Sequence, residues 1–131
     1  MPADERAIEL TRAAARAAAS VKAEEIIALD VSERLVLTDV FLVASGSTER
    51  QVRSIVDAVE EELAGHDAKP VRREGVAEAR WVLLDFNDIV VHIQHVEDRV
   101  YYSLERLWKD CPAIELQPEI NAGGADAAVN E

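Results

Sequence analysis

The stretch Thr38-Asp-Val-Phe-Leu-Val-Ala-Ser-Gly-Ser-Thr48 leads from a run of apolar residues into a group of small polar ones. Residues 40–44 are apolar without alternation, which is typical of a central strand that is covered on both faces. Gly46 interrupts the strand. Thr48, followed three residues later by Gln51, has the pattern of a helix N-terminal capping box. A buried strand that leads directly into a helix predicts a layered α/β domain.

The residues before and after this stretch predict further regular elements. An alanine-rich segment over 4–21 has apolar residues at three- and four-residue spacing, which indicates an amphipathic helix. A short apolar run over 25–30 predicts a strand. From Thr48 to Leu63 the helical spacing of apolar residues continues, and Gly65 is placed to end that helix.

The C-terminal half predicts a hairpin and one last helix. Residues 80–86 and 89–95 are rich in β-branched and aromatic residues, and the Asn-Asp pair between them predicts a tight turn. The last helix begins with a cap at Glu97 or Asp98 and ends at Pro112. Its predicted buried stripe consists of Val100, Tyr101, Leu104, Leu107, Trp108 and Cys111. The order α-β-β-α-β-β-α predicts a mixed β-sheet packed with helices.

Length and composition predict one domain. The chain has 131 residues, 49% of them hydrophobic, which is enough for a single core. We place the domain over 1–116 and expect a disordered acidic tail over 117–131, where Gly123-Gly124 and several alanines occur. No run of about 18 apolar residues and no signal peptide pattern is visible, so we expect a cytoplasmic protein without membrane contact.

The charge balance bears on the class of partner. The chain carries 26 acidic and 14 basic residues, a formal net charge of −12. This charge repels phosphate backbones, so direct sequence-specific binding of nucleic acid is disfavoured. A basic protein can still be attracted by local acidic patches, even when it lies in an RNA-rich particle.

The residues that could carry chemistry do not form a complete catalytic or metal-binding set. Gly46 precedes a helix N-terminus, where backbone N–H groups attract phosphate, but the lysine of a P-loop is missing. Asp85, Asp88, His92 and His95 contain ligand types for a metal, yet His92 and His95 fall on opposite faces of a strand. Cys111 is a lone cysteine, and no serine lies in a nucleophile elbow. We therefore predict no catalytic residue, no metal and no cofactor.

A different kind of site is indicated where arginines stand beside a tryptophan. The segment Arg72-Arg73-Glu74-Gly75 leads to Arg80-Trp81 at the beginning of a strand. Arginine and tryptophan are enriched at the energetically important positions of protein interfaces. The alternative is that Trp81 belongs to the core and the arginines are merely solvated.

Six motifs, in this order, carry a resemblance to a known family. They are 38–46 (TDVFLVASG), 50–52 (RQV), 74–75 (EG), 81–85 (WVLLD), 88–92 (DIVVH) and 102–108 (YSLERLW). Over roughly residues 5–112 the sequence resembles the ribosomal silencing factor family, also called Iojap-like proteins. The resemblance implies a fold similar to that of nucleotidyl transferases, without their activity.

The resemblance also implies a function. Such a factor binds the ribosomal protein numbered fourteen on the large subunit and thereby blocks the small subunit from joining, so that translation is repressed. In this chain we expect Trp81 to anchor the contact, Arg73, Glu74 and Gly75 to form the loop before it, and Asp85 or Asp88 to meet basic groups. A homodimer is expected when the ribosome is absent. The alternative from another class is a nucleotide-binding or nucleotidyl-transfer enzyme that uses the Gly46 helix start.

Overall fold

The structure is a computed structural model that describes residues 3–101 and 103–122. Its elements, in chain order, are α1 (Glu5–Ser20), β1 (Glu24–Asp30), β2 (Val40–Gly46), α2 (Glu49–Ala64), β3 (Arg72–Glu74), β4 (Trp81–Asp85), β5 (Ile89–His95), α3 (Val96–Tyr101) and α4 (Leu104–Leu107). The predicted α/β fold with a mixed sheet is confirmed. The short strand β3, in a segment predicted to be a loop, is additional.

The five strands form one sheet in the order β1-β2-β5-β4-β3. The central pair β2 and β5 is parallel, with Val40 opposite Ile89 and Gly46 opposite His95. All other pairs are antiparallel. The interior position of β2, between β1 and β5, agrees with its uninterrupted apolar sequence, since a strand buried on both faces needs no polar side.

Helices α1 and α2 cover one face of the sheet, which we call the first face. The strand residues that are fully buried on this face are aliphatic, namely Val40, Leu42, Ala44, Val82, Leu84, Ile89, Val91 and Ile93. Six alanines of α1 belong to the same cluster, because small side chains let the helix approach the sheet and α2 closely. The main hydrophobic core therefore lies between the first face and these two helices.

The opposite side of the sheet, the second face, has a different composition. Strand alternation places on it Phe41, Val43, Ser45, Trp81, Leu83, Asp85, Val90, His92 and Gln94. A small cluster covers one end of this face, where Trp108 and Cys111 pack with Phe41, Leu29 and Val31. The β4 side of the second face keeps Trp81, Leu83 and Asp85 only half-buried.

The last helix differs from its prediction. It begins at Val96 and consists of two short helices, α3 and α4. The predicted buried stripe is wrong at Val100, Tyr101 and Leu107, which are 81%, 85% and 74% exposed, whereas Leu104 and Cys111 are buried as predicted. For Val100 and Tyr101 the cause is their neighbour Arg99 in α3, which is 5% exposed and donates from Nη1 to Ser45 Oγ at 2.7 Å. This polar anchor faces the sheet and turns its apolar neighbours outward.

The start of the predicted disordered tail also differs from the prediction. Residues 117–122 are helical, Ile120 packs against the main core, and Glu119 pairs with Arg12 at 3.4 Å. The rest of the predicted tail, 123–131, lies outside the described residues. Within 3–101 and 103–122, no helix combines the length and apolar character that crossing a membrane requires.

Candidate partner-binding face

Strand β4 presents three alternate side chains on the second face. Trp81, Leu83 and Asp85 are all half-buried, while Val82 and Leu84 between them are fully buried in the main core. The predicted hairpin turn holds this strand in register: Asn87 has a positive φ of 71°, and its N–H donates to Asp85 Oδ1 at 2.9 Å. The hairpin thus aligns an aromatic, an aliphatic and an acidic side chain in one row.

A second row of aromatic rings crosses the second face from strand to strand. The Trp81 indole Nε1–H donates to His92 Nδ1 at 3.1 Å. The His92 ring meets Phe41 edge to face, with 5.0 Å between centroids, and Phe41 meets Trp108 in the same way at 5.2 Å. These contacts connect β4, β5 and β2 with the segment that follows α4.

The His92 ring is neutral in this setting. Only 5% of the residue is exposed, and the loss of solvent around the charged form lowers the pKa of His92 from 6.5 to about 4. Because Nδ1 accepts the indole N–H, the single proton of the neutral ring lies on Nε2. That Nε2 atom is buried and has no hydrogen-bond partner among the described residues.

Charged side chains border the row formed by β4. Arg72 on the neighbouring strand β3 pairs with Glu74 at 2.9 Å and reaches Asp85 at 3.9 Å. At the other end of β4, Arg80 bonds Asp98 at 2.7 Å and Glu97 at 2.9 Å. The hydrogen bond from Arg80, with His95 nearby, lowers the pKa of the Glu97 carboxyl. The border therefore carries both signs of charge around an apolar and aromatic centre.

The predicted site residues fall into two groups. Trp81, Asp85 and Glu74 come together on the second face, where Glu74 lies opposite Leu83. Arg73 does not join them, because its partner in the register is Leu84 on the first face. Its guanidinium binds Glu60 of α2 with contacts of 2.7 and 3.1 Å.

Asp88 lies apart from the Trp81 row, in the hairpin turn. Its backbone carbonyl accepts a hydrogen bond from the Asp39 N–H at 2.9 Å. Burial, and then the nearby carboxylates of Asp4 and Asp39, raise the pKa of Asp88. The structure therefore places Asp88 among other acidic groups and not beside Trp81.

Gly75 has a structural role at the edge of the site. Its φ is +77°, and a Cβ atom at this position would lie 2.1 Å from the Trp81 carbonyl oxygen. Only glycine combines this backbone conformation with such close approach. Gly75 thus sets the path of the chain from β3 to β4, and with it the position of Trp81.

The helix start after Gly46 is occupied by a side chain of the protein itself. Gln51 Oε1 accepts from the Ser47 N–H at 2.7 Å and from Ser47 Oγ at 3.1 Å. The Gln51 N–H donates to Thr48 Oγ1 at 3.0 Å, which confirms the predicted N-cap. A Cβ at Gly46 would lie 3.0 Å from the Val52 nitrogen. The donors that would cradle a phosphate are therefore partly used in capping.

The two histidines of β5 have separate surroundings, as strand alternation requires. His92 contacts Phe41 and Trp81, whereas His95 Nδ1 accepts a hydrogen bond from the Glu97 N–H at 3.1 Å. Across the described part of the chain, no three His, Cys, Asp or Glu side chains gather in a group that could hold a metal ion.

Sequence reasoning did not place Phe41, Leu83 or His92 beside Trp81 on this face. The signal was present in the alternation of the two hairpin strands, since Leu83 shares a face with Trp81 and Asp85. The pairing of Trp81 with His92 could not be found in this way. It depends on the register that brings Leu83 opposite His92 and Trp81 opposite Gln94.

Comparison with known proteins assigns the chain to a family. The sequence model of the family described as "Ribosomal silencing factor during starvation" matches residues 4–131. A ribosomal silencing factor of Halalkalibacterium halodurans is 38% identical over 113 residues, which cover 86% of this chain and 97% of that protein. The factor of Bacillus subtilis is 37% identical over 112 residues, with coverage of 86% and 95%.

Solved structures agree with the sequence comparison. The crystal structure of a protein from Chromobacterium violaceum superposes with a TM-score of 0.75 at 34% sequence identity, covering 78% of this chain and 85% of that one. The resemblance inferred from the sequence motifs is thus confirmed by sequence and by structure. This chain belongs to the ribosomal silencing factor family.

Proposed function

We propose that this protein represses translation in the cytoplasm by binding the large ribosomal subunit through the ribosomal protein numbered fourteen. Bound there, it obstructs the surface that the small subunit needs. The effect is steric and requires no chemical step, so occupancy follows from concentration and affinity alone. Membership of the family, whose relatives are named silencing factors and not enzymes, supports this class of function.

The second face of the sheet is the surface we assign to the contact. The observation that carries this assignment is the half-buried row Trp81, Leu83 and Asp85 on an incompletely covered face. A half-buried tryptophan on the same face as a leucine, with charged groups around them, has the composition of a protein interface. The main core, in contrast, is closed by α1 and α2.

Charge favours a basic protein over RNA as the direct partner. The net charge of −12 opposes the approach of phosphate groups. Asp85 and Glu74 on the second face carry carboxylates that lie beside Arg72 in the free protein, and lysine or arginine side chains of a ribosomal protein would pair with them in the complex. We therefore expect affinity for the isolated ribosomal protein to persist when RNA is removed.

Co-sedimentation with large subunits from Bacillus subtilis, the source of a relative of this chain, tests the proposal. Trp81→Ala should weaken binding by about 2 kcal/mol, roughly thirtyfold. The matched control is Glu61→Ala, which changes an exposed residue on α2, on the opposite side of the molecule, and should leave binding unchanged. Equal binding by wild type and a folded Trp81→Ala variant would remove Trp81 from the interface.

A subunit joining assay tests the steric step. Wild-type protein added to purified large and small subunits should reduce the fraction of joined ribosomes in a sucrose gradient, in proportion to occupancy. Trp81→Ala should need about thirty times more protein for the same reduction. Normal joining at saturating occupancy would exclude the steric mechanism.

A homodimer in the free state is the second part of the proposal. The second face exposes apolar and aromatic surface that a second copy could cover when the ribosome is absent. Sedimentation velocity should show a dimer that dissociates when the isolated ribosomal protein is added. A monomer at all concentrations would contradict the proposed homodimer. It would not contradict the proposal that the protein binds the ribosome.

A further inference from the structure

His92 has one ring nitrogen in use and the other buried without a partner. Nδ1 accepts the Trp81 indole N–H at 3.1 Å, and the ring is packed against Phe41 with 5.0 Å between centroids. Nε2 must carry the proton, yet none of the described residues accepts it. A buried donor without an acceptor costs free energy, and such groups call for an explanation.

A phenylalanine at this position would fill the same space and avoid that cost. The surroundings favour it, since Phe41 already meets the ring edge to face, as aromatic pairs do in cores. What phenylalanine lacks is the acceptor at Nδ1. The histidine thus gives the fold one thing that packing alone would not, a hydrogen bond to the Trp81 indole.

We propose that His92 is a positioning residue that fixes the orientation of the Trp81 indole on the second face. This inference rests on the proposed function, in which Trp81 anchors the contact with the ribosomal protein. Trp81 is half-buried at the start of β4, whereas His92 beside it on β5 is buried. The bond to His92 holds the indole in one rotamer before the partner arrives.

Such preorganisation strengthens binding because the ordering of the side chain does not have to occur during association. Immobilising one side chain at an interface corresponds to about a threefold to tenfold change in affinity. Removal of the Nδ1 acceptor should therefore reduce affinity by that factor, although His92 itself is too buried to form a large contact with a partner. The loss should depend on the presence of the Trp81 N–H donor.

Nuclear magnetic resonance of the free protein tests the hydrogen bond directly. The chain has two tryptophans, and the Trp108 indole N–H in the same spectrum should shift less, because Trp108 contacts Phe41 and not His92. His92→Phe should move the Trp81 indole N–H resonance upfield and speed its exchange with water. His92→Asn can place an amide oxygen near the position of Nδ1 and should restore much of the wild-type shift. An unchanged resonance in His92→Phe would overturn the proposal.

Binding to large subunits in a double-mutant cycle tests the positioning role. His92→Phe should weaken binding about threefold to tenfold in the wild-type background and have no further effect in Trp81→Phe, which lacks the donor. Equal losses in both backgrounds would mean that His92 acts independently of Trp81, and the proposal would be wrong. His92→Leu is the second variant without an acceptor, should His92→Phe fail to fold.

The two proposals fail in different ways. If wild-type protein does not bind large subunits, the proposed function fails, and the positioning role falls with it even when the spectrum shows the hydrogen bond. If wild type binds and a folded His92→Phe variant binds equally well, the positioning role alone is wrong. A loss in His92→Phe that His92→Asn reverses would support it.

Discussion

The two faces of the sheet are formed by the same strands, but they carry different kinds of side chain. On the first face, Leu42, Leu84 and Ile93 are fully buried against two long helices. On the second face, rings and polar groups such as His92 and Asp85 stand among the aliphatic side chains, and the residues of β4 are only half-buried. Alternation along one strand therefore separates side chains that close the core from side chains that stay half-buried on the other face.

The covering helices account for much of this asymmetry. Both α1 and α2 have 16 residues and pack a continuous apolar side on the first face. Among residues 3–101 and 103–122, the helices on the second face are α3 and α4, of six and four residues. Helices this short bury little apolar area, so their position depends on polar anchors such as Arg99 with Ser45 and Glu105.

Two adjacent leucines in β4 provide the most direct test of the difference between the two faces. Leu84 is fully buried on the first face, and its neighbour Leu83 is half-buried on the second. Leu84→Ala should lower the free energy of unfolding by about 3 kcal/mol, because it removes buried methyl groups and leaves a cavity. Leu83→Ala should cost about 1 kcal/mol and weaken binding to large subunits instead. Urea unfolding followed by circular dichroism measures both; equal losses would show that the faces do not differ in this way.

A substitution at Gly75 tests the role of the backbone at the edge of the second face. Gly75→Ala forces a Cβ to within 2.1 Å of the Trp81 carbonyl oxygen at a φ of +77°. We expect a loss of about 2 kcal/mol or more in unfolding free energy, together with weaker binding. Gly65→Ala is the matched control, since Gly65 ends α2 in a right-handed conformation with φ of −66°. It should change stability by less than about 0.5 kcal/mol, and a similar loss in both variants would contradict the role of Gly75.

The buried histidine makes the second face sensitive to acid. The pKa of His92 is about 4 in the folded protein and 6.5 in an unfolded chain. The unfolded state therefore takes up a proton first, and the stability that His92 contributes is complete above pH 6.5 and is lost as the pH falls toward 4. Between pH 7 and pH 5 the free energy of unfolding should fall by about 2 kcal/mol more in wild type than in His92→Phe.

Comparison of wild type with His92→Phe separates the effect of His92 on the pH dependence of stability from the effect of the carboxylates. The pKa of Glu97 lies below its ordinary value of 4.5 because Arg80 donates to it, so its contribution is lost only at lower pH. Denaturant titrations of wild type and His92→Phe at pH 7, 6 and 5 provide the measurement. Parallel pH profiles for the two proteins would show that the His92 ring is not buried as described.

The first face was predictable from sequence because its signals are local. The apolar run 40–44 marks a strand covered on both sides, and the capping pair Thr48 and Gln51 fixes the start of α2. The hairpin strands also followed from composition and from the turn at Asn87. These features depend on neighbours within a few residues, and no knowledge of the tertiary arrangement was needed.

The second face was only partly predictable because its decisive contacts join distant residues. Arg99 reaches Ser45, 54 positions away in the sequence, and this bond turns Val100 and Tyr101 outward against their helical pattern. Trp81 and Asp85 were identified from residue type, but the pairing of Trp81 with His92 follows from the strand register. Arg73 was assigned to the site by proximity in sequence, whereas its strand position directs it to Glu60.

The smallest expected effect on the free energy of unfolding concerns α4, a short helix over the second face. In α4, Leu104 is 8% exposed and Leu107 is 74% exposed, although helical spacing gave both the same predicted burial. Leu107→Ala should change the free energy of unfolding by less than about 0.5 kcal/mol, because little apolar area is withdrawn from water there. Leu104→Ala should cost about 2 kcal/mol. Equal and large losses of unfolding free energy in thermal or urea unfolding would mean that both leucines of α4 face inward. The helix would then cover the second face more fully.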